Sequence, residues 1–151
     1  MGIVMKKFFL CVSLLFITSF HAQTIKMNEK KGGVYEVPVI INNTLKIQFL
    51  LDTGASESSI PLYVFYTLLK NGTITRADKL SEKTYTLADG SEMTNKRCII
   101  REITIGDHVL RDVSVSISES VDSPLLIGQN VLGQFSKVII DYKEDTLILE
   151  K

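Results

Sequence analysis

The stretch FLLDTGASESSI, residues 49–60, holds the residues best placed to do chemistry. Phe49, Leu50 and Leu51 run up to Asp52, and a small, hydroxyl-rich turn follows. An aspartate at the C-terminal end of an apolar strand, followed by Thr53 and Gly54, presents its carboxylate to a cleft. The glycine lets the backbone turn and approach it closely. Two such carboxylates within hydrogen-bonding distance cannot both ionise easily, so they share a proton. One then acts as a base on a water while the other acts as an acid. That is peptide hydrolysis without a covalent intermediate.

Other chemistries lack their parts. Once the leader described below is set aside, the chain keeps one histidine, His108, which stands in a turn signal beside Gly106 and Asp107. It reads as a solvated loop residue, so a Ser-His-acid triad has no base. Cys98 reads as a buried thiol on a strand and not as a nucleophile paired with His108. No paired-cysteine or His-x-x-x-His spacing marks a metal site, and no glycine-rich loop would cradle a phosphate, so no metal or other cofactor is expected.

Strands must position Asp52. VYEVPVIINN followed by TLKIQFLLD reads as a hairpin joined at Asn42 and Asn43, both tolerant of left-handed turns, with the second strand delivering Asp52. IPLYVFYTLLKNG reads as a helix, with Ser59 as its cap and Pro61 in its first turn. Leu62, Phe65, Leu68 and Leu69 share a face, and Asn71-Gly72 ends it. Then come TYTLADGSEMT with a tight Asp89-Gly90 turn, IIREITIGDHVLRDVSVSI turning at Gly106-Asp107, SPLLIGQNVLGQF, and KVIIDYKEDTLIL, two strands around Lys143 to Asp145. The pattern predicts an all-β domain, a closed or sandwiched barrel with one or two short helices.

The whole chain has 151 residues, 45% of them hydrophobic, which suits one globular domain. Its first 22 residues, MGIVMKKFFLCVSLLFITSFHA, read as a secretory signal: Lys6 and Lys7 precede an apolar run from Phe8 to Ile17, and Ala22 ends a short polar segment. An uncleaved anchor is the alternative, because Phe20 stands where a small residue is preferred. The mature domain is therefore 23–151, exported to the periplasm or secreted, with no membrane contact after cleavage. Seventeen basic and seventeen acidic residues balance, and losing the two leader lysines leaves a net charge of about −2. Neither value suits nucleic acid as a partner. Only Cys98 survives cleavage, so no intrachain disulfide can form.

These residues resemble the retropepsin-like aspartic proteases, the single-domain class that includes the retroviral proteases, and within it the exported bacterial members. The resemblance runs from about Val34 to Leu149. FLLDTGAS resembles the active-site signature. It implies that Asp52 is the catalytic aspartate, that Thr53 locks two active-site loops together, and that Gly54 lies beside the substrate. LLIGQNVLG resembles the second signature, in which Leu126, Ile127 and Gly128 lead into a short helix packed behind the active-site loop. TLADGSEM resembles the flap hairpin that closes over substrate, with Ala88, Asp89 and Gly90 at its tip.

A dyad needs two aspartates, yet DTG occurs once, and Asp141 in VIIDYKED is followed by Tyr142 instead of small turn residues. The resemblance therefore implies half a site per chain and a symmetric homodimer acting on a peptide or protein substrate, with Asp52 opposite its own copy on the two-fold axis. Thr146 to Leu149 is a candidate interface strand. A non-catalytic peptide-binding module on the same fold is the other reading the residues leave open.

Two departures from the retroviral pattern matter. Ser56 and Gln129 occupy the positions of an acid and an arginine that pair there, so the charged pair is replaced as a unit and no orphaned charge is left. Ala55 offers no hydroxyl to stabilise an ionised dyad, unlike the serine of pepsin-like enzymes. The expected outcome is an activity optimum less acid than theirs, set by the coupled pair. An activity profile of the mature chain peaking near about pH 2 would overturn it.

Overall fold

Apolar alternation decides which face of each strand turns inward. In the computed structural model, which describes residues 22–151, the strand β3 (Val34–Ile41) buries Val37, Val39 and Ile41. It follows two short strands, β1 (Ala22–Lys26) and β2 (Asn28–Lys30). The leader read in residues 1–22 lies outside the described residues except for Ala22, which opens β1. The turn after β3 has Asn42 at φ 48° and Asn43 at φ 57°. Positive φ at both central residues is the tight hairpin geometry whose twist suits the flanking strands, and β4 (Leu45–Leu51) returns antiparallel along β3.

Next come β5 (Ser59–Pro61), the helix α1 (Leu62–Lys70) and a single 3-10 turn, Arg76–Asp78. The helix buries Val64, Phe65 and Leu68 and rests Leu62 and Leu69 against the same core. Asn71 caps its C-terminus and Gly72 leaves it at φ 68°. Ser59 is not its N-cap. Pro61 takes that position without a side-chain hydrogen bond, because Ser59 is already committed to strand pairing.

The long hairpins follow: β6 (Lys79–Thr86), β7 (Glu92–Ile105) and β8 (His108–Ser118). β9 (Leu126–Ile127) and the four-residue α2 (Gln129–Leu132) precede a terminal hairpin, β10 (Lys137–Asp141) and β11 (Thr146–Glu150). Pairing runs β2-β3-β4-β9-β5-β8-β7-β6, and β7 also pairs with β3 through Ile40–Thr104 and Ile41–Ile103. That last contact closes a ring, so the expected closed, all-β architecture is what forms, around buried Phe49, Ile60, Ile100, Val115 and Ile127.

A further expectation changes. His108 is not a solvated loop residue but is 9% exposed, its ring edge-on to Phe135 at 5.0 Å. The turn at Gly106-Asp107 is so short that His108 is already the first residue of β8, and strand alternation turns it inward with Leu110. The strand Thr146–Leu149 has no free edge for a partner: β11 lies between β10 and β1, with Gln23 opposite Leu149 on one side and Val138 on the other. The open edges of this small sheet belong to β1 and β10. Cys98 is fully buried as expected, and burial pushes its thiol up to about 12.

Candidate active site

β4 carries Asp52 to the mouth of a cleft. The parallel pairing of β4 with β9 extends through the aspartate: Leu50 N–H donates to Leu125 O at 2.7 Å and Asp52 N–H to Ile127 O at 3.0 Å. The chain then turns back on the side chain. Oδ1 of Asp52 accepts the N–H of Gly54 at 2.9 Å and of Ala55 at 3.1 Å, which leaves Oδ2 without a partner among the described residues. A Cβ at position 54 would stand 3.3 Å from that Oδ1, a tight approach that the carboxylate would have to shift to relieve. The carboxylate is half-buried, while Thr53 and Gly54 lie exposed at the rim.

The second motif packs behind this turn. A Cβ on Gly128 would sit 2.7 Å from the carbonyl carbon of Glu57 and 2.8 Å from Ala55 O, so backbone meets backbone there. Gln129 N–H donates to Ala55 O at 2.8 Å and Asn130 N–H to Ser56 O at 3.2 Å. Fully buried Ser58 binds the motif twice more, donating Oγ–H to Asn130 Oδ1 at 2.9 Å and accepting Gly128 N–H at 3.0 Å. Asn130 in turn donates to Ser114 O at 2.7 Å. Ser56 and Gln129 do not pair with each other: Gln129 Nε2 reaches Thr53 O at 2.7 Å.

The hairpin β6–β7 hangs over the other side of the cleft, which encloses about 560 Å³. Asp52, Gly54 and Ala55 form one wall and Leu126 another, while Thr86, Leu87, Ala88 and Met93 come from the hairpin. Of the expected flap-tip residues only Ala88 lines the cleft. Asp89 and Gly90 make the turn itself, with Gly90 at φ 83° and Asp89 Oδ1 accepting both the hydroxyl of Ser91, at 2.6 Å, and its amide, at 2.9 Å. Those bonds hold the Asp89 carboxyl below its usual range. Thr53, Ile127 and Gly128 also stay outside the lining.

A family profile described as gag-polyprotein putative aspartyl protease matches residues 37–134. The chain belongs to this family of aspartyl proteases. Among solved structures it is similar to a retropepsin-like aspartic protease from Rickettsia conorii, with 20% identity over 87% of this chain and 94% of that one and a TM-score of 0.62. At that identity the likeness concerns the fold, which is retropepsin-like. A search of the curated proteins finds no match.

One feature of this family member escapes sequence reasoning. Glu57, in the loop between Asp52 and β5, is buried with its side chain 4% exposed. Arg97 of β7 grips it through Nε at 3.0 Å and Nη2 at 2.8 Å, Ser114 of β8 donates at 2.6 Å, and the Tyr85 hydroxyl of β6 donates as well. Lys83 adds a looser contact at 3.8 Å. Burial alone would raise the Glu57 carboxyl, but the bonds from Arg97, Ser114 and Tyr85 outweigh it and hold the group below its ordinary value. Burial, then the neighbouring Glu57, pushes the Tyr85 hydroxyl well up. The cluster ties both strands of the overhanging hairpin to the loop that holds Asp52. Its only trace in the sequence is a glutamate inside a run of small residues.

Proposed function

We propose that the mature chain is an aspartic endopeptidase that works as a homodimer, with a water activated between two Asp52 carboxylates. One carboxylate accepts a proton from the water as its oxygen attacks the peptide carbonyl carbon. The other, protonated, donates to the carbonyl oxygen and later a proton reaches the leaving nitrogen. The overhanging hairpin excludes bulk water from the cleft.

The observation that carries this reading is the Asp52 carboxylate itself. It is held by the Gly54 and Ala55 amides on one oxygen, has no partner among the described residues on the other, and faces a cleft of about 560 Å³. The exposed Thr53-Gly54 rim beside the half-buried Asp52 supports a second copy meeting the chain there. The leader in residues 1–22 supports export to the periplasm or beyond.

The test is to incubate the chain from Gln23 with a mixed peptide library at several protein concentrations and detect new termini by mass spectrometry. Cleavage is expected, with specific activity rising with protein concentration until the dimer saturates. No cleavage at concentrations where a dimer forms would refute the enzyme and leave a peptide-binding module.

A further inference from the structure

The sequence DVSVSIS, residues 112–118, looks like an ordinary half-buried strand with polar residues turned to water. Val113, Val115 and Ile117 do pack into the core. The serines on the other face do not meet open solvent. Ser114 reaches Glu57, and Ser116 and Ser118 line the cleft that holds Asp52. Ser116 is 5% exposed, and the parallel register of β5 with β8 places Ser59, another lining residue, directly beside it.

The hydroxyls can be accounted for one by one. Ser114 donates to Glu57, Ser118 and Ser123 pair with each other at 2.6 Å, and Ser58 is used by Asn130 and Gly128. Ser59 and Ser116 have no side-chain hydrogen bond among the described residues, and both hydroxyls stay open to the cleft. A hydroxyl that opens onto a cleft and is not engaged by its own chain is free to donate to or accept from a ligand. The same lining supplies apolar surface from Ala55, Pro124 and Leu126, the last paired with Ser59 across β5 and β9. Arg97, Tyr85 and Ser114 already occupy the Glu57 oxygens, which leaves Asp52 as the lining carboxylate with an unpartnered oxygen among the described residues.

We propose that Ser59 and Ser116 form the floor of a substrate subsite that selects a short, uncharged side chain carrying a hydrogen-bonding group, of the threonine or asparagine class, over an aliphatic one of the same shape. A hydroxyl can both donate and accept, so it serves either class. The apolar walls hold the body of the side chain and the serine pair meets its head. This rests on the peptidase reading for the identity of the ligand as a peptide. Threonine and valine have nearly the same shape, so the pair isolates the hydrogen bond.

The experiment uses matched peptides in which one residue at a time, on either side of the cut, is threonine or valine. At one position the wild type is expected to show a kcat/KM roughly ten-fold higher for threonine. Ser116→Ala is expected to shrink that ratio toward one, and Ser116→Val to reverse it, with Ser59→Ala as an independent check on the same position. The series is also titrated by fluorescence anisotropy against Asp52→Asn, which reads binding without cutting. Threonine preferred in binding, with no cleavage of any peptide by the wild type, would uphold the subsite and refute the peptidase. Equal cleavage and equal binding of both peptides, or a preference for valine at every position, would overturn the subsite even if cleavage is efficient.

Discussion

Asp52→Asn will yield a folded protein that no longer cuts peptide, with activity down by roughly 10³-fold or more. The carboxamide has the same shape, and its oxygen can still accept the N–H groups of Gly54 and Ala55, so the turn survives. Stability is expected to stay within about 1 kcal/mol of the wild type. What is lost is a group that can take and return a proton at the free oxygen. In the proposed homodimer each chain supplies one such aspartate, so the variant should also poison the wild type. Adding excess Asp52→Asn to a fixed amount of wild-type chain will draw it into mixed dimers with one carboxylate, and cleavage should fall in step with the fraction mixed. Activity that stays constant as the variant is added would refute the shared site, even if the pure variant is dead.

Glu57→Ala will cost about 3–5 kcal/mol of folding stability. The alanine leaves the Arg97 guanidinium, its side chain 18% exposed, without the carboxylate that neutralises it, and strips Tyr85 and Ser114 of their acceptor. Against a total of about 5–15 kcal/mol for a domain, that is a large share, and with Cys98 the one cysteine among the described residues no disulfide between them can make up for it. Urea unfolding measures the loss. Replacing both partners, Glu57→Leu with Arg97→Met, should recover much of it, because the cost of a broken buried pair lies in the charge left behind. Equal destabilisation by the double replacement and by the sum of the two singles would show that the pair is not coupled. The acid side gives a second measurement. The folded Glu57 carboxyl lies below its unfolded value, so its stabilisation is complete above the unfolded value and is lost as pH falls through the depressed one. Glu57→Gln should therefore flatten part of the stability loss below about pH 4.3, starting from a lower plateau.

The same cluster shows where reading the chain stops short. Asp52, its glycine turn and the second motif are legible because local backbone rules fix them: an apolar strand, a glycine for close approach, two asparagines at positive φ in the β3–β4 turn. The helix is legible from its apolar face, although its cap is not, because Ser59 satisfies strand pairing before it could serve a helix. Glu57 and Arg97 stand 40 positions apart, and nothing local to either announces the other. His108 misleads for a similar reason: a turn signal tells where the chain reverses, not which face of the next strand meets Phe135.

By itself the sequence determined the strand-rich class, the hairpin turns and the single Asp-Thr-Gly motif at Asp52. Each depends on residue type, period or count within a short span, where sterics and alternation act directly. Only the tertiary structure decided that β1 pairs with β11 and leaves no free edge on Thr146–Leu149. Only it turned the serines of β8 toward the cleft and laid β6 and β7 over Asp52 through the buried Glu57. Those outcomes depend on ring closure between strands far apart in the chain. A period of two says that a strand has two faces, and only the closed barrel says what each face meets.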